Sequence, residues 1–233
     1  MSQIRFADFD ALTFDCYGTL VDWESGIVAG IRSAVGDAGL DASDEELLEA
    51  YARFEVELEG GAYLRYRDVV AGALRGICAE RGIDVPDARA AAFGDSVGEW
   101  PPFPDSAEAL AALKRRFRLG VITNCDDDLF ARTQEKLGVE FDWVITAQRA
   151  QGYKPRLRNF ELAFERIDVP RERIVHVAQS LFHDHVPAKL LGMTSVWIDR
   201  RGDREGSGAT PPAAASPDMT FADMRSFAEA ALV

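Results

Sequence analysis

Hydrophobic and polar positions follow two different periods along the chain. Residues 11–14 form a short apolar run that leads into Asp15, and Gly18 follows three positions later. Such a run, closed by a turn residue, predicts a buried strand with Asp15 at its carboxyl end. From residue 23 to residue 95 the spacing is helical instead, and it includes no convincing strand. The chain therefore begins with one strand and continues into a long helical tract.

Helix-end signals divide this tract. Ser43 and Glu46 have the spacing of a capping box, in which each side chain satisfies a free backbone N–H group of the other. Apolar residues then recur along one helix face, at Leu47, Leu48, Tyr51 and Phe54. A second helix is predicted over residues 62–81, because Gly82 is a good residue for ending it. A connection this long indicates a separate helical module rather than a loop.

After residue 98 short apolar runs alternate with amphipathic stretches. Asp105 and Glu108 predict a capping box for the first helix of this part. The predicted strands cover residues 119–123, 143–146, 174–177 and 194–198, and the later helices cover residues 129–137 and 159–166, a stretch ending near Gly192, and a last one from about Ala222. Such alternation predicts a parallel sheet covered by helices on both faces. The expected fold is α/β: a doubly wound core of residues 1–20 and 98–233, with an inserted all-helical cap domain of residues 21–97.

Composition narrows the possible partners. The chain has 233 residues and a net charge of −13, which argues against binding to nucleic acid. No apolar run approaches the roughly 18 residues of a membrane span, and the first residues lack the hydrophobic region of a signal peptide. We therefore expect a cytoplasmic protein without membrane contact. Cys16, Cys78 and Cys125 are odd in number and lack CxxC spacing, which predicts reduced thiols.

Polar residues cluster at the ends of four predicted strands. They are Asp15, Tyr17 and Thr19 after the first, Thr123 and Asn124 after the second, Lys154 beyond the third, and Gln179, Ser180, His183 and Asp184 after the fourth. In a parallel sheet these carboxyl ends meet at one crevice, where ligands bind. An aspartate there, followed by a Gly-Thr turn, is suited to nucleophilic work. We therefore expect an active site, with a binding-only crevice as the alternative.

Two further clusters contain metal-ligand residue types. His183, Asp184 and His185 are adjacent and offer a single carboxylate, which is a poor donor set for a metal ion. The acidic run of residues 126–128 begins a predicted helix, where acids interact favourably with the helix dipole. We therefore predict that neither cluster binds a metal ion.

The strand-end motifs, in this order, resemble those of the haloacid dehalogenase superfamily over essentially the whole chain. The matching motifs are Asp15-x-Tyr17-Gly18-Thr19, Thr123-Asn124, Lys154-Pro155 and Ser180-x-x-x-Asp184. The resemblance implies a Rossmann-like core with a helical cap. By position it implies a catalytic set made of Asp15 as nucleophile, with Thr19, Lys154 and Asp184. The substrate-binding residues expected from it and from their place at the crevice or cap are Tyr17, Arg53, Thr123, Asn124, Gln179, Ser180 and His183.

Two positions depart from the phosphatases of that superfamily. Tyr17 stands where phosphatases have a proton-donating acid, and Gln179 stands where they have an acid that holds Mg²⁺. The chain thus resembles the metal-free branch, the type II 2-haloacid dehalogenase-like members. That resemblance implies a hydrolase without metal or other cofactor, which cleaves a carbon–heteroatom bond at C2 of a small carboxylic acid through an aspartyl ester. Its partners would be the small carboxylate, water and a second copy in a homodimer.

The leaving group stays open at this point. Leu181 and Phe160 stand where typical L-2-haloacid dehalogenases have asparagine and tyrosine. Residues 13–24 and 178–185 are more similar to those of L-azetidine-2-carboxylate hydrolases, which open a four-membered ring. A ring-opening hydrolase of the same family is therefore the first alternative. A Mg²⁺-dependent phosphatase and a non-catalytic binding protein on the same fold are the others.

Overall fold

The computed structural model describes residues 4–36 and 39–233. Residues 1–3 of the expected core and residues 37–38 of the expected cap lie outside the described residues. The strands are β1 (Ala11–Phe14), β2 (Arg118–Thr123), β3 (Trp143–Thr146), β4 (Ile174–Ala178), β5 (Thr194–Ile198) and β6 (Met219–Phe221).

All six strands run parallel in one sheet, in the order β3-β2-β1-β4-β5-β6. β1 lies in the interior, between β2 and β4, and all four of its residues are buried. The strand order reverses at β1, and in open parallel sheets such a point forms the ligand crevice. The prediction of a doubly wound α/β fold is confirmed.

Helices occupy the long connection from β1 to β2 and then alternate with the strands. Those before β2 are α1 (Trp23–Val35), α2 (Asp44–Gly60), α3 (Tyr66–Glu80), α4 (Asp87–Asp95) and α5 (Ser106–Lys114). Those that follow are α6 (Asp127–Leu137), α7 (Ala147–Ala150), α8 (Arg158–Arg166), α9 (Val186–Leu190) and α10 (Met224–Ala231). We call α1–α4 the helical insert. Among the described residues it contains no strand, as predicted.

The predicted capping box at the start of α2 is present. The N–H group of Glu46 donates to Ser43 Oγ at 3.2 Å, and the N–H group of Ser43 donates to Glu46 Oε2 at 2.8 Å. This reciprocal pair fixes where α2 begins.

The start of α3 was predicted too early, at residue 62. The helix begins at Tyr66, because a carboxylate from the sheet side caps it: Asp126 accepts from the backbone N–H groups of Tyr66 at 3.0 Å and Arg67 at 3.2 Å. These are free donors of the first helical turn. A distant cap of this kind has no local signal in the sequence. It joins the helical insert directly to the loop after β2.

The predicted capping box at Asp105 is absent. Its carboxylate instead binds Arg200 at 2.9 and 3.0 Å and accepts from the N–H group of Met224 at 2.7 Å. A tertiary ion pair here takes the place of a local cap. Asp105 thereby connects α5 to the loop after β5 and to the start of α10.

Two short elements differ from the predicted pattern. β6 has only three residues at the sheet edge, too few for a clear period. Leu181–His185 form a single π-helical turn, and α9 begins only after it. Such turns are rare and occur frequently at functional sites. This one buries His183, Asp184 and His185.

The described residues also bear on two compositional predictions. Cys16, Cys78 and Cys125 are free and buried, as expected for reduced thiols. In this part of the chain no helix has both the length and the apolar character needed to cross a membrane.

The packing of α3 against α4 gives a stability prediction. A Cβ atom added at Gly94 would lie 2.2 Å from the backbone carbonyl oxygen of Arg67. Because a backbone atom moves only with its helix, Gly94→Ala is expected to lower the free energy of unfolding by about 1–3 kcal/mol. Urea denaturation measures this change.

Gly60→Ala is the matched control, because a Cβ atom at this last residue of α2 would meet no heavy atom within 4 Å. It is expected to leave stability unchanged or to raise it by about 0.4–1 kcal/mol. Equal effects of the two substitutions would contradict the close approach of α3 and α4.

Candidate active site

Asp15 is held at the carboxyl end of β1 by backbone and side-chain hydrogen bonds. Its N–H group donates to the carbonyl oxygen of Val177 at 3.0 Å, which continues the pairing with β4. Gly18, with φ of +93°, then turns the chain back, and Thr19 Oγ1 donates to Asp15 Oδ2 at 2.7 Å. The N–H group of Gln179 donates to Thr19 Oγ1 at 2.8 Å. The buried Thr19 side chain therefore fixes the orientation of the Asp15 carboxylate.

Lys154 supplies the positive charge of the site. Its Nζ atom lies 2.8 Å from Asp15 Oδ1, 2.7 Å from Asp184 Oδ1 and 2.8 Å from the carbonyl oxygen of Ile122. These three acceptors use all three ammonium hydrogens. The Asn124 side chain holds the Lys154 backbone in place, accepting from its N–H group at 2.8 Å and donating to its carbonyl oxygen at 3.1 Å.

Asp184 is oriented by a histidine that the motifs do not include. His176 Nε2 lies 2.9 Å from Asp184 Oδ1, and His176 Nδ1 lies 3.0 Å from Thr13 Oγ1. The other carboxylate oxygen, Asp184 Oδ2, is buried without a hydrogen-bond partner among the described residues. His176 could have been found as a lone histidine inside the otherwise apolar strand β4, because a buried imidazole requires partners.

Burial and the neighbouring charged groups have opposing effects on the pKa values of Asp15, Lys154 and Asp184. Burial raises the pKa of Asp15, although Lys154 and Thr19 favour its ionised form. Burial disfavours the charge on Lys154, but the carboxylates of Asp15 and Asp184 raise its pKa above the usual value. Burial likewise opposes the charge on Asp184, but Lys154 and His176 hold its pKa well below the usual range. At neutral pH the site thus contains an ammonium ion beside an ionised Asp184.

Tyr17 lines the site, but its hydroxyl group points towards α6. The hydroxyl lies 2.9 Å from Thr133 Oγ1 and accepts from Cys125 Sγ at 3.3 Å, and the ring packs edge-to-face on Trp100. Burial raises the pKa of Tyr17 well above its usual value of about 10. The phenol therefore stays neutral and is a poor substitute for a carboxylic acid that donates protons.

Ser180 and His183 form a neutral donor pair in the π-helical turn. Ser180 Oγ accepts from the N–H group of His183 at 2.9 Å and lies 3.1 Å from His183 Nδ1. When the Ser180 hydroxyl donates its own hydrogen to Nδ1, the ring hydrogen lies on Nε2. Burial lowers the pKa of His183 to about 4, and its Nε2 has no partner among the described residues. Thr123 Oγ1 is likewise buried without a partner among these residues.

These groups surround one small cavity at the carboxyl end of β1. It is lined by Asp15, Tyr17, Trp23, Glu55, Tyr66, Thr123, Asn124, Lys154, Ser180, His183 and Asp184. Eight of the predicted site residues therefore come together here: Asp15, Tyr17, Thr123, Asn124, Lys154, Ser180, His183 and Asp184. Thr19 lies behind Asp15 and is fully buried.

Arg53 and Gln179 were expected at the site, but the structure does not bring their side chains to this cavity. Arg53 makes a two-point ion pair with Glu80 at 2.9 and 2.7 Å. It lies two residues from Glu55, so it points to the opposite side of α2 and is exposed. The Gln179 side chain lies in a separate cleft beside Trp197, and only its backbone reaches Thr19.

Glu55 of α2 lines the cavity, where Arg53 was expected. Glu55 Oε1 accepts from the hydroxyl groups of Tyr66 at 2.8 Å and Tyr51 at 3.1 Å. Burial raises the pKa of Glu55 to about 7, against these two hydrogen bonds. Glu59, one turn further, is also buried. Both continue the helix face of Tyr51, which is the signal that would have revealed them.

Most of the site's donor groups are thus already committed to one another. Among the described residues no group of three or more His, Cys, Asp or Glu side chains is arranged to hold a metal ion. The space between the two carboxylates of Asp15 and Asp184 is taken by Lys154 Nζ. The arrangement can deliver a carboxylate nucleophile and a carboxylate base that share one fixed cation.

The depressed pKa of Asp184 predicts a specific pH dependence of stability. A carboxylate whose pKa is lower in the folded than in the unfolded chain stabilises the fold above its unfolded pKa, and this contribution is lost as pH falls. Between about pH 5 and about pH 3, the wild type is expected to lose about 1 kcal/mol more unfolding free energy than Asp184→Asn. Urea denaturation at several pH values measures the two slopes.

The control for this measurement is Asp203→Asn, an exposed residue in the loop after β5, which is expected to keep the wild-type slope. Identical slopes in the wild type and Asp184→Asn would contradict the ion pair of Asp184 with Lys154.

Comparison with known proteins indicates one family of hydrolases. A family model described as haloacid dehalogenase-like hydrolase matches residues 9–179. Haloacetate dehalogenase H-2 of Moraxella sp. (strain B) is 30% identical over 200 residues, which cover 83% of this chain and 87% of that protein. An (S)-2-haloacid dehalogenase of Pseudomonas sp. (strain YL) is 26% identical over 211 residues, covering 86% and 87%.

A solved structure shows the same fold. The L-2-haloacid dehalogenase from Xanthobacter autotrophicus, with chloropropionic acid covalently bound, superposes with a TM-score of 0.78 at 20% identity, covering 95% of this chain and 97% of that one. The family model spans most of the chain, including Asp15 and Lys154 at the cavity. The chain belongs to the haloacid dehalogenase-like hydrolase family.

Proposed function

We propose that this hydrolase cleaves a carbon–heteroatom bond at C2 of a small 2-substituted carboxylic acid, without a metal ion, through an ester on Asp15. The observation that carries the proposal is the position of Lys154 Nζ between Asp15 and Asp184 at the carboxyl end of β1. A nucleophile, its charge partner and a base are thus preorganised in one small cavity. The relatives named as dehalogenases support a halide as the leaving group.

In the first step the Asp15 carboxylate attacks C2. The new bond joins an Asp15 oxygen to C2, while the C2–halide bond breaks and the halide leaves with the electron pair. A departing halide needs no proton, so this step does not require an acid catalyst at position 17. The phenol of Tyr17, which is neutral and already hydrogen-bonded, is therefore compatible with the reaction. Thr123 Oγ1 and His183 Nε2 are unpaired polar groups on the core side of the cavity, and they are suited to binding the substrate carboxylate.

In the second step water hydrolyses the ester. Asp184 Oδ2 accepts a proton from water, and the water oxygen bonds to the Asp15 carbonyl carbon. Lys154, which donates to Asp15 Oδ1, stabilises the negative charge that develops on the carbonyl oxygen. The bond between that carbon and the substrate-bound oxygen then breaks, and this oxygen takes the proton from Asp184 to give the 2-hydroxy acid. The second water proton ionises from the Asp15 carboxyl group to solvent, and the water oxygen remains in the Asp15 carboxylate.

Ring opening of L-azetidine-2-carboxylate is the second candidate. It is supported by the similarity of residues 13–24 and 178–185 to hydrolases of that substrate and by the acidic wall formed by Glu55. Asp15 would again attack C2, and the protonated ring nitrogen would leave with the C2–N electron pair as a neutral amine. This step also needs no acid catalyst. Hydrolysis of the ester would give 4-amino-2-hydroxybutyrate.

The proposed function assigns separate roles to two domains. We propose a core of residues 1–20 and 98–233, which carries Asp15, Lys154 and Asp184, and a cap of residues 21–97, which closes the cavity. Glu55 and Tyr66 from the helical insert line the cavity opposite the strand ends, which supports the division. A homodimer and a cytoplasmic location stay predictions from the sequence.

The reaction is tested by paired assays with EDTA present throughout. The purified protein is incubated with L-2-chloropropionate and with L-azetidine-2-carboxylate, following halide release and formation of a primary amine. Turnover of either substrate is expected, and the substrate that reacts identifies the leaving group. Inactivity on both, together with Mg²⁺-dependent hydrolysis of a chromogenic phosphate ester, would contradict the proposal and favour the phosphatase alternative.

The roles of the site residues are tested by substitution. Asp15→Asn removes the nucleophilic charge, so kcat is expected to fall by about 10⁴-fold or more while substrate binding persists. Arg53→Ala is the matched control, because this side chain contacts Glu80 on the outer surface. Its kcat/KM should stay within about twofold of the wild type. Turnover by Asp15→Asn, or a large loss in Arg53→Ala, would contradict the site described above.

A further inference from the structure

The helical insert contributes an acidic side chain to the wall of the cavity. Glu55 lines the cavity on α2, and Glu59 lies one helical turn away on the same face. Glu55 is 3% exposed and Glu59 is 8% exposed. Among the residues that the structure describes, neither makes an ion pair, although 24 pairs occur elsewhere, from Arg5–Asp8 to Arg204–Glu24. Buried carboxylates without a cation are rare, because removing the charge from water costs several kcal/mol.

Glu55 is held rigidly and leaves one oxygen free. Tyr51 and Tyr66 both donate to Oε1, so the carboxylate is fixed between α2 and α3. No donor from the described residues reaches Oε2. Hydrogen bonds from two phenols favour the ionised carboxylate, although burial opposes it. Two buried tyrosines thus orient a carboxyl group that has no part in the attack of Asp15 on C2.

The environment of Glu59 also indicates that this part of α2 is suited to binding a cation. Glu59 Oε1 is buried and has no hydrogen-bond partner among the described residues. Glu55 and Glu59 repel each other, and this repulsion adds to burial in raising the pKa of Glu59. A positive group beside Glu55 would offset the charge of its carboxylate. It would therefore reduce the repulsion between Glu55 and Glu59 and favour the ionised form of Glu59.

The charges around the cavity do not balance. Its lining contains the carboxylates of Asp15, Glu55 and Asp184 and the single cation Lys154. Both of the ion pairs that Lys154 makes involve the core carboxylates. A substrate with only a carboxylate would add another acidic group to this lining and would further disfavour the ionised form of Glu55, whose pKa burial already raises to about 7. A substrate that also carries an ammonium group would add no net charge and would favour ionised Glu55.

We propose that the substrate carries a protonated nitrogen as well as its carboxylate, and that Glu55 Oε2, with Glu59 behind it, binds this ammonium group. The assignment rests on the proposed reaction at C2 and narrows its substrates to zwitterionic amino acids. The carboxylate end meets the unpaired donors of Thr123 and His183, and the ammonium end meets Glu55. Glu55 is thus a specificity-determining residue that takes no part in bond breaking.

The test compares two ligands that differ in one group. They are 4-amino-2-hydroxybutyrate and 2-hydroxypentanoate, in which an ammonium group is replaced by a methyl group on the same chain. Both resemble products, so their binding needs no chemistry. Isothermal titration calorimetry with the wild type is expected to give about tenfold or greater preference for the ammonium ligand, as for a buried charged hydrogen bond.

Two substitutions on α2 isolate the responsible carboxylate. Glu55→Gln is expected to remove the preference, so that the two ligands bind within about threefold of each other. Glu57→Gln is the matched control, because it makes the same change of charge at an exposed position of the same helix and should keep the preference. Loss of the preference in Glu57→Gln, or its survival in Glu55→Gln, would overturn the assignment.

The outcomes separate this inference from the proposed reaction. Equal affinity of the wild type for both ligands, or no binding of the ammonium ligand at millimolar concentration, overturns the ammonium site even if L-2-chloropropionate is hydrolysed. A clear preference without turnover of any 2-substituted acid supports the site and contradicts the reaction. The comparison within the wild type needs no variant, so misfolding of Glu55→Gln would not affect it.

Discussion

The contact of Lys154 with two aspartates is the interaction on which the site depends. Two buried carboxylates this close would repel each other and favour protonation, but one ammonium group with hydrogen bonds to both keeps Asp184 ionised. The cation is itself stable only because the carboxylates and the carbonyl oxygen of Ile122 replace its water shell. The sheet brings these groups together, since Asp15 and Asp184 follow the adjacent strands β1 and β4.

The helical insert completes this site and is fastened to the core by charged contacts. Asp126 caps α3, and Arg201 from the loop after β5 binds Glu24 at 2.7 Å and Glu45 at 2.8 Å. These contacts determine which face of α2 meets the cavity. They therefore place a carboxylate, Glu55, opposite the strand ends. The core provides the bond-breaking groups, and the insert provides the charge that we expect to select the substrate.

The sequence predicted what depends on parallel strands and missed what depends on packing. Asp15, Lys154 and Asp184 follow the carboxyl ends of parallel strands. These ends lie at the same edge of the sheet, however the helices pack. Arg53 was placed wrongly, because the motif gives its helix but not the direction in which that helix faces the core. His176 and Glu55 were missed because each is polar within an apolar pattern, and only tertiary contacts show their hydrogen-bond partners. Packing across the fold also decides that Asp126, a residue distant in sequence, caps α3.

The covalent ester on Asp15 is the central claim, and isotope transfer in a single turnover tests it most directly. The substrate is whichever of L-2-chloropropionate and L-azetidine-2-carboxylate the enzyme hydrolyses. It reacts in H₂¹⁸O with an excess of enzyme, and the peptide that contains Asp15 and the product are then analysed by mass spectrometry. Ester hydrolysis at the carbonyl carbon predicts ¹⁸O in the Asp15 carboxylate and an unlabelled hydroxyl group in the product. Label in the product hydroxyl with an unlabelled Asp15 would show direct attack of water on C2 and would contradict the account.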